Sequence, residues 1–180
     1  MTDGFGRREA ATDAATGDHV EHLELATELV LHTAFATALA ERVTRLSSVR
    51  HANYVHLRRV DRPAIDRLVV VSDATEGHRL SDLLDAAGAD RPPIEAVVGL
   101  LRQLLPAAAL FSRHNRAQAI GALAVERLFI AAPARVVIAD TAFGPALDHL
   151  QLSPVEAWQQ YRVAAPAAID PVTSTPRADA

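Results

Sequence analysis

From Leu25 onward, apolar residues return at intervals of three and four: Leu25, Leu29, His32, Ala36, Leu39, Val43 and Leu46. That period lines one face of a helix. With Asp18 as its cap it predicts a first long helix from residue 18 to about 47, a length that admits a break near Thr33. Two β-branched runs follow, Tyr54 to Val60 and Leu68 to Ser72, around a loop holding Asp61, Arg62 and Pro63, which predicts an antiparallel pair. Leu80 to Ala87 reads as a short helix closed by Gly88. Pro92-Pro93 opens a second long helix with a buried stripe of Ile94, Val97, Val98, Leu101, Leu104, Leu105, Ala108 and Phe111, kinked at Pro106. Beyond a polar turn from Ser112 to Arg116, Arg127 to Ala131 and Val136 to Ala139 predict a second strand pair around Ala132-Pro133-Ala134. Ser153-Pro154 caps a last helix to about Arg162.

The two ends lack such periodicity. Residues 1–17 are mostly Ala, Thr, Asp and Gly and are expected to be a disordered tail, as is 166–180 with Pro166, Pro171 and Pro176. That leaves 18–165 as a single folded domain.

Composition narrows the chemistry. The chain has 180 residues, no cysteine and a formal net charge of −4, and all 18 of its basic residues are arginine. Disulfides, zinc ribbons, iron–sulfur clusters, cysteine nucleophiles and every chemistry that needs an intrachain lysine are excluded. The acidic balance argues against nucleic acid or an anionic membrane as partner. No stretch approaches the roughly 20 apolar residues of a membrane helix, the longest, Ala117 to Ala132, being broken by Glu126 and Arg127. Residues Met1 to Glu9 lack the apolar core of a leader, so a cytoplasmic location is expected. His19 with His22 and Glu28 with His32 share helical spacing, but four ligands do not converge, so no metal is expected. His32 reads as a core-edge histidine, and His114 suits a helix C-terminus. Asp61, Arg62 and Asp66 read as a solvated loop, and Gly-x-Ser-x-Gly is absent.

The order long helix, two strands, short helix, long helix, strand pair resembles the middle of a bacterial serine/threonine protein kinase domain, over about residues 35 to 145. His51-Ala52-Asn53-Tyr54-Val55 resembles the His-Pro-Asn-Ile-Val that follows a kinase's regulatory helix. Val70 to Leu84 resembles a kinase hinge running into its next helix, with Ser72 as gatekeeper and Asp73, Ala74 and Thr75 as hinge. Ile120 to Ile130 overlays the catalytic loop, and Arg135 to Ala142 the strand leading into Asp-Phe-Gly, with Asp140 as its aspartate. The implied fold is α+β: a mainly helical, incomplete kinase-like domain with two short antiparallel strand pairs.

On this register the base aspartate falls on Ala122, the catalytic-loop lysine on Ala124 and the metal-binding asparagine on Arg127. The helix glutamate falls on Arg42, with Glu41 one position out of phase. Gly4-Phe5-Gly6 lacks flanking strand patterns, and the first three strands of the small lobe are expected to be missing. Kinase chemistry rests on these groups acting together. The resemblance therefore implies a catalytically inactive, pseudokinase-like interaction module without cofactor. The alternatives are a residual nucleotide binder or phosphotransferase using Ser72, Asp73, Ala74, Thr75 and Asp140, and a helical domain unrelated to kinases. Two strands are marginal cover for the stripe of Leu25, Leu29, Leu39, Val43 and Leu46, which implies a homodimer or a protein partner on the first long helix, unless its N-terminal half folds back over the strands at a break near Thr33.

Overall fold

The computed structural model describes residues 2–114 and 122–163. Its first sheet begins where the tail was expected. β1 (Thr2–Asp3), β2 (Gly6–Thr12) and β3 (His19–Leu25) precede the helices α1 (Thr27–Leu31) and α2 (Thr33–Leu46). β4 (Leu57–Ala64) and β5 (Arg67–Asp73) complete an antiparallel sheet in the order β1-β2-β3-β5-β4. The reading of 1–17 as a tail is thus corrected, as are the absence of the first three strands and the helix starting at Asp18. The physical reason is that the inward positions of β2 are Gly6 and Arg8, so the strand buries residues that carry no apolar alternation. The other expected tail, 166–180, lies outside the described residues.

The break in the first long helix falls at His32, whose Nδ1 accepts a hydrogen bond from the Phe35 N–H at 3.4 Å and so caps α2. His32 is exposed, a cap rather than a core-edge side chain. His19 and His22 sit on a strand, where a separation of three puts them on opposite faces. Pro63 lies within β4 at the edge of the sheet, where a missing N–H is tolerated.

The second sheet is antiparallel in the order β6-β7-β8, from β6 (His78–Arg79), β7 (Leu128–Ala131) and β8 (Arg135–Ile138). The two expected pairs, β4–β5 and β7–β8, are present, each as part of a larger sheet. β6 runs directly into α3 (Leu80–Ala87), which ends at Gly88 with φ +59°. α4 (Ile94–His114) continues through Pro106, and α5 (Phe143–Leu147) and α6 (Pro154–Tyr161) follow β8. α6 opens with a capping box between Ser153 and Glu156. The architecture is α+β.

His51 to Val55 joins the two halves. The Ile138 N–H donates to the Asn53 carbonyl at 2.8 Å and the Val55 N–H to the Ile138 carbonyl at 2.9 Å. The Asn53 amide donates to the Val136 carbonyl at 2.8 Å, and the Tyr54 hydroxyl to the Ala107 carbonyl of α4 at 2.5 Å.

One core unites α2 with the inner face of the first sheet. Phe35, Leu39, Val43 and Leu46 pack with Leu23, Leu25, Leu57, Leu68 and Val70. Leu25, Leu29, Leu39, Val43 and Leu46 are all below 5% exposed, so the stripe expected to be an intermolecular interface is covered from within. Five strands supply the cover that two could not, and the break at His32 folds Leu29 onto them.

α4 departs from its expected stripe in the opposite sense. Ala107 and Phe111 are buried, while Ile94, Val98, Leu101 and Leu105 lie exposed. Gln103 ties the helix to β8, accepting from the Val136 N–H at 2.9 Å and donating to the Ala134 carbonyl at 3.0 Å. Ile94 to Phe111 is long and apolar enough to cross a membrane by length and composition, which corrects the expectation that no stretch approaches that size.

A chain lacking residues 1–12 should lose cooperative urea unfolding, because β3 would become a bare edge and Phe5 would leave the core. Leu39→Ala should lower unfolding free energy by about 2–5 kcal/mol in the same titration.

Candidate functional site

The turn between β1 and β2 is the Gly4-Phe5-Gly6 segment, which therefore does have flanking strands. A Cβ on Gly4 would lie 1.9 Å from the Gln160 carbonyl oxygen of α6, and one on Gly6 (φ +151°) 2.0 Å from that of Glu24 in β3. Only glycine allows the turn to thread between these two backbones. The Phe5 N–H donates to the Asp3 carboxylate at 2.9 Å, and the Phe5 ring is driven wholly out of solvent. It stacks on Phe143 at 4.3 Å and Tyr161 at 5.4 Å between centroids. The Arg127 guanidinium lies 4.3 Å over the same ring.

Beside Phe5, β2 sends Arg8 inward at a position opposite Leu23 of β3. Its side chain is 3% exposed and grips Asp140 with both terminal nitrogens, at 2.6 and 3.3 Å. Its Nε donates to Asp3 at 2.7 Å and its Nη1 to Glu21 at 2.7 Å. Burial works against the charge on Arg8, but the carboxylates of Asp140, Asp3 and Glu21 more than offset it, holding the guanidinium far above its ordinary pKa. Glu21 passes the chain of charges to Arg79 at 2.9 Å, and Arg79 reaches the Glu126 carbonyl at 2.7 Å and lies 4.4 Å over the Phe129 ring. The two sheets are thereby linked by ion pairs.

Asp140 follows β8 in a left-handed conformation (φ +56°), which aspartate adopts more readily than most residues. Arg127 flanks it, with Nε 3.7 Å from its carboxylate. Arg127 also donates to the carbonyls of Ala122 at 3.2 Å and Tyr161 at 2.5 Å. Burial pulls its pKa down, Asp140 opposes that, and the neighbouring Arg8 adds to it. Ala122 is buried, Ala124 is half-buried, and the Ala124 carbonyl accepts from the Arg127 N–H at 2.9 Å. Ile120 and Gly121 of the same overlay lie outside the described residues. Arg42, the position given to the helix glutamate, is buried, with Nε 3.5 Å from the Thr141 carbonyl and its guanidinium 5.4 Å from the Phe111 ring.

The hinge positions are engaged within the fold. Ser72 pairs in register with Glu21 and Leu57. The Asp73 and Ala74 N–H groups donate to the His56 and His19 carbonyls at 2.9 and 3.2 Å. The Asp73 carboxylate is held by Arg58 at 2.5 Å, with His56 Nδ1 at 3.3 Å. Asp73, Ala74 and His56, with Thr75 and Arg50 but without Ser72, line an open cavity of about 550 Å³. Asp73, Ala74 and Thr75 are thus brought to that cavity, while Asp140 lies in the separate cluster with Arg8 and Arg127. Among the described residues no three His, Asp or Glu side chains gather as a metal site. Sequence reasoning missed Phe5, Arg8 and Glu21; the pair of glycines around Phe5 was the signal that a tight turn stood there.

No family model matches the chain, and no curated protein matches it. Solved structures do. The kinase domain of PknI from Mycobacterium tuberculosis, in a cysteine-to-alanine mutant, aligns with TM-score 0.68 and 12% identity over 79% of this chain and 56% of that one. Another structure of the same kinase domain aligns at TM-score 0.67 and 11% identity, covering 79% and 55%. The chain spans little more than half the length of these domains. At such identity the likeness establishes a protein kinase-like fold.

Arg8 is the member of the buried ion cluster that pairs with all three carboxylates. Arg8→Met should cost about 3–5 kcal/mol in urea unfolding, since three carboxylates then lack their common cation. Asp140→Asn, which leaves Arg8 with Asp3 and Glu21, should cost less than Arg8→Met. The reverse ranking would show that Asp140 alone holds Arg8 in place.

Proposed function

We propose that this chain is a kinase-like module that transfers no phosphate and works by binding protein. The observation that carries the reading is the Arg8–Asp140 pair. The aspartate that the resemblance assigns to magnesium is bonded by the Arg8 guanidinium at 2.6 Å, and a second guanidinium, that of Arg127, stands 3.7 Å from the same oxygen. A divalent cation there would have to displace or repel both, so these residues do not fit a magnesium–nucleotide complex. Phe5 supports the same reading, because its ring packs under the Arg127 guanidinium that stands beside Asp140. The positions assigned to the base, the lysine and the asparagine hold Ala122, Ala124 and Arg127, none of which can accept a proton from a hydroxyl or bind a cation. The expected bacterial origin and cytoplasmic location belong to the same proposal.

The test is a thermal melt with magnesium and ATP at about 5 mM. A ligand at a hundred times its dissociation constant stabilises by about 2.7 kcal/mol, which in a chain of this size raises Tm by about 5–10 °C. No rise is expected. A magnesium-dependent rise, or transfer of radiolabelled phosphate that Asp140→Ala abolishes, would instead establish the residual nucleotide-binding function.

A further inference from the structure

α4 carries a second apolar stripe that the fold leaves in water. Ile94, Val98, Leu101 and Leu105 are 67%, 37%, 46% and 65% exposed. Their steps of four, three and four are the spacing of a helix-pairing seam. At 3.6 residues per turn the stripe lies roughly 130° around the helix from Ala107 and Phe111, which face the core. Glu95 and Arg102 border it along one edge; both are exposed, and neither side chain makes a hydrogen bond or ion pair among the described residues.

We propose that this stripe is a self-association surface, two copies of the chain pairing their α4 helices antiparallel about a two-fold axis level with Gly99 and Leu100. The inference rests on the non-catalytic, protein-binding reading above and names the partner as a second copy. In this register Ile94 meets the partner's Leu105 and Val98 meets the partner's Leu101, so every exposed apolar residue of the stripe is covered. Charge selects the orientation. In an antiparallel pair the bordering positions face their own kind, so Glu95 meets the partner's Arg102 and Arg102 the partner's Glu95, giving two symmetric ion pairs. In a parallel pair the same two charges would face Val97 and Leu104 and find no partner. The complementarity of the seam with itself is what an isologous dimer requires.

The contact is small. A helix of 21 residues is about 31 Å long, and one helix pair covers less than the roughly 800 Å² per partner of a standard interface. The dissociation constant is accordingly expected on the order of tens of micromolar.

Sedimentation of the full chain from about 1 to about 300 µM reads this directly. The expected result is a monomer at the low end and a dimer at the high end. Glu95→Arg and Arg102→Glu, each alone, should weaken the dimer about tenfold at low salt by placing like charges together, and the double swap should restore it. Both positions are exposed, so circular dichroism should be unchanged in all three. Leu101→Glu should abolish the dimer. A chain that stays monomeric throughout overturns the proposal, as does a dimer indifferent to Leu101→Glu or a double swap that fails to restore pairing. A monomer that instead partitions onto phosphatidylcholine vesicles overturns it too and assigns the stripe to a bilayer. None of these results touches the ATP melt, so failure here and failure of the non-catalytic reading are told apart.

Discussion

A guanidinium removed from water is costly unless carboxylates surround it, and the arrangement around Arg8 follows from that constraint. Asp3 comes from the strand beside it, Glu21 from the next strand and Asp140 from the end of the second sheet. Arg79 and Arg127 balance the remaining negative charge. Three carboxylates thus face three guanidinium groups, and the cluster closes on itself without excess of either sign. A buried network in this condition is rigid, because one guanidinium holds three carboxylates at once in a low-dielectric setting. Phe5 packs on one side of it, its buried ring lying against Arg127.

The kinase-like shape and the closed cluster coexist because fold and site answer to different residues. The shape is set by the apolar faces of the sheets and of α2, which tolerate wide substitution so long as volume and pattern persist. The cluster depends on a handful of polar side chains and on two glycines. A backbone can therefore match a kinase domain at only 12% identity.

Legibility followed the same division. The strands β4 and β5, the helix α3 with Gly88 and the helix α6 with Ser153 were readable because each carries local signals: β-branched runs, a glycine stop, a capping serine. The first 25 residues were not. β2 buries Gly6 and Arg8 where alternation would show apolar residues, and Leu25 of β3 happens to continue the three-and-four spacing of the helices after it, so strand and helix merge into one pattern. With β1 to β3 lost, the stripe on α2 looked uncovered and was assigned to a partner. The candidate site was half legible: the position of Asp140 came from the resemblance, but its cation came from a segment taken as a tail. On α4 the pattern was apolar around most of the helix, which fixes no single buried face.

The tie between Arg8 and Asp140 joins residues 132 positions apart. A ribosome adding residues at about 5–20 per second needs about 7–26 seconds to travel from one to the other. For that interval the nascent first sheet carries an inward arginine whose last counter-charge has not been made. Docking of β2 against the rest of the molecule is then a late event in synthesis, and a stall before residue 140 would leave the N-terminal strands as a substrate for chaperones.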